Sequence, residues 1–114
     1  MSDDEYLERI QRVRAYIDDH LSEIDGARDV LEAVDVSYST IRKQFRREVG
    51  VTLGQYISRA RTEEARRLLI ETHDPVYVVC RNVGYSNDSN GIRAFRKHTG
   101  MTMGEYRRRY GEKD

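Results

Sequence analysis

The side chains best equipped for chemistry in this 114-residue chain are cations. Residues 36–114 carry sixteen Lys and Arg against nine Asp and Glu, whereas residues 1–35 carry eleven acids against four Arg. A formal net charge of zero therefore conceals an acidic front and a basic remainder, and the basic part suits a polyanion while the front faces away. Nucleophilic and metal chemistry have no comparable footing. His20, His73 and His98 lack a metal-ligand spacing and suit helix ends at the surface. The single cysteine, Cys80, reads as core packing, excludes an internal disulfide and fits a reducing cytosol. No glycine-rich phosphate loop, Ser/His/Asp or Cys/His arrangement, or paired-carboxylate site stands out. The chain reads as a non-enzyme with no metal and no cofactor.

The elements that must position those cations announce themselves by repetition. Phe45–Arg59 reads FRREVGVTLGQYISR and Phe95–Arg109 reads FRKHTGMTMGEYRRR, with seven identities in fifteen. In each copy Gly50 or Gly100 falls where a helix should stop in a left-handed cap. Thr52-x-x-Gln55 and Thr102-x-x-Glu105 then read as capping boxes that restart a helix. Tyr56 and Tyr106 anchor the restarted helix on the preceding unit. Two copies are too few for a solenoid, so two similar small units in one body are expected.

Taken in order, residues 4–21 place Tyr6, Leu7, Ile10, Val13, Ile17 and Leu21 at helical period, with Asp3 and Asp4 suited to the N-terminus. Residues 22–26 break that helix, and Ala27–Val34 is a short one. Asp35-Val36 makes a tight turn and Ser37 caps Tyr38–Val49, a helix-turn-helix pattern. Leu53–Thr72 is the longest periodic segment, its outer face salt-bridged through Arg59, Glu63, Glu64, Arg66 and Arg67. Asp74-Pro75 supplies an N-cap and a first-turn proline. Val76–Val83 is rich in β-branched residues, yet the repeat makes it the helical counterpart of Ala27–Val34. Gly84-Tyr85 is the next turn, Ser86 the cap, residues 87–98 the second recognition-type helix, and Met103–Tyr110 the last helix. The fold is therefore all-α: seven helices in one 1–114 domain, with units at 4–52 and 73–114 joined by a helix at 53–72. No apolar run is long enough to span a membrane, and the acidic, amphipathic N-terminus is not a signal peptide.

Over roughly residues 13–110 this pattern resembles the DNA-binding domain of the AraC/XylS family of bacterial transcription regulators. The residues carrying the likeness include Ser37, Ile41, Phe45, Gly50, Tyr56, Arg61, Ala65, Leu68-Leu69 and Val79. The most diagnostic stretch is Val83-Gly84-Tyr85-Ser86, Arg93-Ala94-Phe95-Arg96-Lys97, Gly100 and Tyr106-Arg107. The resemblance implies two helix-turn-helix units joined by one long helix. Such a linker of about nineteen residues spans roughly 28 Å, against roughly 34 Å between successive major-groove faces. It implies sequence-specific binding of double-stranded DNA at an asymmetric bipartite site, with helices at about 38–48 and 87–98 in successive major grooves. By the family's pattern Ser39, Arg42 and Lys43 read bases from the first unit, and Asp88, Asn90 and Arg93 from the second. Arg and Lys suit guanine, Asn suits adenine and Asp accepts from cytosine. Arg46, Arg47, Arg96 and Lys97 suit phosphates, as do the helix N-termini at Ser37 and Ser86. Arg61, in the linker beside Ala65, reads instead as a structural ion-pair former. RNA polymerase is a further implied partner. A cytoplasmic, nucleoid-associated chain acting as a monomer on DNA is expected if it stands alone, the other possibility being the output domain of a longer protein.

Several residues depart from that pattern. Asp35 replaces the usual turn glycine, which Asp tolerates, and Leu31 replaces a small residue where two helices approach. Cys80 takes the equivalent place in the second unit and is small enough. Gly91 stands where the family has a bulky apolar residue four before Phe95, and costs roughly 1 kcal/mol of helix propensity against Ala. It predicts a frayed or tilted second recognition helix, with Ile92 either rotating inward or lying exposed. The alternative reading follows from this and from the neutral net charge: a protein-interaction module of the same fold with a degenerate second unit, its acidic 1–35 end or Tyr-rich surface binding RNA polymerase or another regulator.

Overall fold

A computed structural model of the chain describes residues 2–111 and contains, among them, seven helices and no strand. They are α1 (Asp3–Asp19), α2 (Ala27–Ala33), α3 (Tyr38–Val49), α4 (Leu53–Glu71), α5 (Val76–Asn82), α6 (Asp88–Thr99) and α7 (Met103–Tyr110). The chain divides into two compact units, residues 1–57 and 58–114, with the boundary inside α4.

In the first unit α1 packs on both α2 and α3. Ile10, Val13 and Ile17 recur at three- and four-residue spacing and are fully buried, together with Ile41 and Phe45 from α3. Leu53 and Ile57, from the start of α4, are buried as well. Leu7, placed on the apolar stripe by periodicity, is instead 39% exposed, whereas Ile24 in the break after α1 is buried. The hydroxyl of Ser2, rather than Asp3 or Asp4, caps α1 by accepting from the Glu5 backbone N–H at 3.3 Å. The two aspartates and Glu5 occupy the first turn, where negative charge meets the positive end of the helix dipole.

The second unit is built from the remainder of α4 and from α5, α6 and α7. Ala65 and Leu69 of α4 join Val79, Cys80, Val83, Phe95 and Met103 in one buried cluster. Here α4 does for the second unit what α1 does for the first. Tyr56 meets the Phe45 ring edge-on at 5.8 Å and lies under the Arg14 guanidinium at 5.6 Å. Tyr106 meets Phe95 edge-on at 5.5 Å and lies under Arg66 at 6.0 Å. Each anchor tyrosine is thus clamped between an aromatic edge and a cation. The Arg107 side chain donates to the Leu69 and Thr72 carbonyls at 3.1 and 3.3 Å, satisfying the free carbonyls at the end of α4.

The duplicated stop-and-restart signals take the expected form. Gly50 (φ +90°) and Gly100 (φ +79°) are left-handed C-caps. Thr52 Oγ1 accepts from the Gln55 N–H at 3.2 Å while Gln55 Oε1 accepts from the Thr52 N–H at 2.9 Å, a complete capping box. In the second copy only half of the box forms: Thr102 accepts from the Glu105 N–H at 3.1 Å, and the Glu105 carboxylate does not return the bond. Thr52→Ala should cost about 1 kcal/mol in a urea titration, the usual worth of such a cap. An unchanged midpoint would show that the Thr52 hydroxyl contributes nothing as a cap.

Other local expectations are corrected. Pro75 is itself the N-cap of α5, so Asp74 does not cap it and the proline is not in the first turn. The α6 cap is Asn87, whose side chain accepts from the Asn90 N–H at 3.3 Å; Ser86 lies one residue earlier. The reason is a length difference: residues 34–37 connect α2 to α3, whereas residues 83–87 connect α5 to α6. The second connection is one residue longer, which moves the helix to 88–99 and makes Asn87 the counterpart of Ser37. Asp35 adopts φ +56°, as Gly84 adopts +106°, so the left-handed turn persists in both units.

Candidate nucleic-acid interface

On α3, Ile41 and Phe45 point into the core at 1% exposure. At about 100° per residue the opposite face carries Ser39, Lys43, Arg46 and Arg47, with Arg42 at its flank. All five are exposed. Arg42 lies 6.0 Å from the ring of Tyr38, itself 49% exposed. Ser37 sits at the N-cap with extended backbone, but its hydroxyl pairs with that of Ser39 at 2.8 Å and makes no side-chain cap. Both serines therefore present their oxygens at the N-terminal end of the helix. Arg47 has a neighbouring carboxylate, Glu48 at 3.5 Å, in an exposed pair of small worth.

On α6 the inward positions are Gly91 and Phe95, and the outward ones include Asn90, Arg93, Arg96 and Lys97. Arg93 donates to the Asn90 side-chain carbonyl at 3.4 Å, which brings these two expected readers together. Asp88 is exposed but lies about 140° round the helix axis from Arg93, so it does not share their face. The Asp88 carbonyl instead lies 3.9 Å from Cys80 Sγ. Lys43, Arg46, Arg96 and Lys97 have no carboxylate partner among the described residues, which leaves their charges available to an anion. Two basic residues of α4 differ: Arg66 pairs with Glu63, and Arg67 with Glu64 and Glu71.

The expected fraying of α6 does not occur. Gly91 is buried within a continuous helix, and a Cβ placed there would sit 2.9 Å from both Cys80 Sγ and Tyr85 Cδ2. The place of the missing side chain is filled by the Tyr85 ring and the Cys80 sulfur, and Ile92 remains outside at 40% exposure. Arg61 lies over the same Tyr85 ring at 5.2 Å with 9% exposure, a cation–π contact that the sequence does not announce. Burial pushes the Tyr85 hydroxyl up from its ordinary value, opposed by the Arg61 charge.

Two further positions on the exposed surface of α6 emerge from the fifty-residue offset that pairs Phe45 with Phe95. Ser89 is the counterpart of Ser39, and Ile92 the counterpart of Arg42; both are exposed. The pairing of the phenylalanines could have found them, but the longer α5–α6 connection obscures the register around Ser86.

Cys80, His20 and His98 each have a packed or hydrogen-bonded place. Cys80 is fully buried, 3.8 Å from Met103 Sδ, and its thiol is raised above the ordinary value first by burial and then by the Asp88 charge. Thiol alkylation in native buffer should therefore run at least about a hundredfold slower than in denaturant, since the thiolate is the nucleophile. Equal rates would contradict a packed sulfur. His20 stacks on Tyr16 at 4.1 Å, and His98 Nε2 lies 2.7 Å from Ser58 Oγ. Among the described residues no group of three or more His, Cys, Asp or Glu is placed to hold a metal, and no helix is long and apolar enough to cross a membrane.

Two recognition-type helices, each the second of a helix-turn-helix and each with an exposed cationic face, define a class of helix-turn-helix protein. Comparison with known proteins agrees. A family model described as a helix-turn-helix domain matches residues 30–109. The arabinose operon regulatory protein of Escherichia coli is 31% identical over 100 residues, covering 87% of this chain and 34% of that protein. The HTH-type regulator Rv1931c of Mycobacterium tuberculosis is 38% identical over 66 residues, covering 58% of this chain and 26% of its own. Among solved structures, the C-terminal domain of AraT, a response regulator from Geobacillus stearothermophilus, superposes with a TM-score of 0.87 at 28% identity, covering 93% of this chain and 88% of that one. The DNA-binding domain of AdpA, solved with a target DNA, gives 0.83 at 24% identity, covering 90% and 92%, and supports the fold. The chain belongs to the AraC-type helix-turn-helix domains of transcription regulators, which are not an enzyme family. It spans about a third of the length of the arabinose regulator and about a quarter of Rv1931c.

Proposed function

We propose that the chain binds double-stranded DNA sequence-specifically, with α3 and α6 entering successive major grooves of an asymmetric bipartite site. The observation that carries this reading is the pair of cationic helix faces, whose Lys43, Arg46, Arg96 and Lys97 lack carboxylate partners among the described residues. In that role Ser39, Arg42 and Lys43 read base edges from α3, and Asn90 and Arg93 do so from α6. Asp88 enters only from the flank. Arg46, Arg47, Arg96 and Lys97 hold phosphates, with the helix N-termini at Ser37 and Asn87 donating backbone N–H groups. Asn87 takes the part expected of Ser86. In a bacterial regulator working in the cytoplasm on the nucleoid, the chain engages DNA, as a monomer where it stands alone, and RNA polymerase as its protein partner. The interaction-module alternative rests on the neutral net charge and on a degenerate second unit, and the filled space beside Gly91 speaks against the second of these.

Selection of bound duplexes from a random library at moderate salt tests the proposal. Two enriched blocks about one helical turn apart are expected. The affinity should fall with salt at a log–log slope of about −4, from four neutralised phosphates. No enrichment at any salt would sink the DNA-binding reading.

A further inference from the structure

Resting on the DNA-binding reading, we propose that Ile92 is a specificity-determining residue that recognises the C5-methyl group of thymine in the major groove bound by α6. Ile92 is a large aliphatic side chain that the fold does not use. It is 40% exposed, although the neighbouring inward position is a glycine whose space Tyr85 and Cys80 already fill. It is not there for the helix either, since a β-branched residue is a poorer helix former than Ala, Lys or Glu.

Its position says what it meets. Ile92 is fifty residues beyond Arg42, on the same register as Phe45 and Phe95, and lies about 100° round the helix axis from Arg93 and about 40° from Asp88, on the flank that Arg42 occupies in α3. Each is one residue past the inward position of its helix, Ile41 or Gly91. The first unit thus displays a guanidinium where the second displays only methyl and methylene groups. In the major groove a guanidinium finds the two acceptors of guanine, whereas the apolar group on offer is the thymine methyl. The two units therefore read by opposite chemistries at equivalent positions, one by hydrogen bonds and one by contact.

The test uses the duplex enriched by selection, with each thymine of the second block replaced in turn by deoxyuridine, which lacks only the methyl group. At one thymine the affinity of the unaltered protein should fall about fourfold, the factor one buried methyl is worth. With Ile92→Ala, a change at an exposed position, the same replacement should have no effect. Insensitivity of the unaltered protein at every thymine would overturn the proposal, as would an equal loss with Ile92→Ala. Both results leave binding itself intact, whereas a chain that enriches no duplex fails at the preceding selection and overturns the DNA-binding reading together with this one.

Discussion

Gly91→Leu should lower the stability of the protein by about 3 kcal/mol, at the upper end of the usual cost of overpacking a core. Leucine at this position restores the bulky apolar residue that the family pattern favours, and removing a helix-interior glycine gains roughly 1 kcal/mol of propensity. Both considerations argue for stabilisation, and packing overrides them. A Cβ at residue 91 already falls 2.9 Å from Cys80 Sγ and from Tyr85 Cδ2, before any further atom is added. Neither neighbour can move freely: Cys80 is fully buried, and Arg61 lies over the Tyr85 ring at 5.2 Å. Thermal denaturation should show a midpoint lowered by more than about 10 °C. The double variant Gly91→Leu/Tyr85→Ala should recover part of that loss, because the leucine then enters the volume vacated by the ring. A single variant as stable as the parent would mean that the space beside Gly91 is open.

Arg42→Ala should cost about 1–3 kcal/mol of discrimination at one base pair, while Arg47→Ala should weaken all duplexes alike. The difference follows from where each guanidinium starts. Arg42 is on the first turns of α3, beside Tyr38, and is not in an ion pair among the described residues. Arg47 is near the C-terminal end of the same helix and shares its charge with Glu48 at 3.5 Å. A bidentate contact to guanine is lost with its sequence information, whereas a lost phosphate contact lowers the salt slope by about 1. Competition between the selected duplex and a single-base variant measures the first, and a salt titration the second. Equal, sequence-independent losses from both variants would refute this sorting.

Much of the architecture is legible in the sequence because it is written in local, short-range chemistry. Gly50 and Gly100 need left-handed backbone, and Thr52 and Thr102 need only a residue three places on, so both stop signals can be recognised without knowing the fold. Val76–Asn82 shows the limit of propensity: a β-branched run is helical because Val79 and Cys80 are buried against the second core. What sequence reasoning misplaces depends on distant contacts or on register. Gly91 reads as a defect until Tyr85 is seen in its place. The contact of Arg61 with that same ring is likewise hidden, because twenty-four residues separate them. Ser86 reads as a cap because one added residue between α5 and α6 shifts the frame to Asn87. The equivalence of Arg14 and Arg66 is hidden altogether, because they are fifty-two residues apart while the tyrosines they cover are fifty apart.

The paired aromatic clamps, Arg14–Tyr56–Phe45 and Arg66–Tyr106–Phe95, separate what holds each helix from what that helix displays. None of these six residues is an assigned base reader. Mutations at the displayed positions can therefore accumulate in one unit without unseating it and without obliging the other unit to follow. On the DNA-binding reading proposed above, two units with identical surfaces would recognise a repeated word, and this scaffold permits the two words to diverge letter by letter. The same separation makes the displayed residues of α3 transplantable onto α6, so that preference can be rewritten one half at a time while the interior is left untouched.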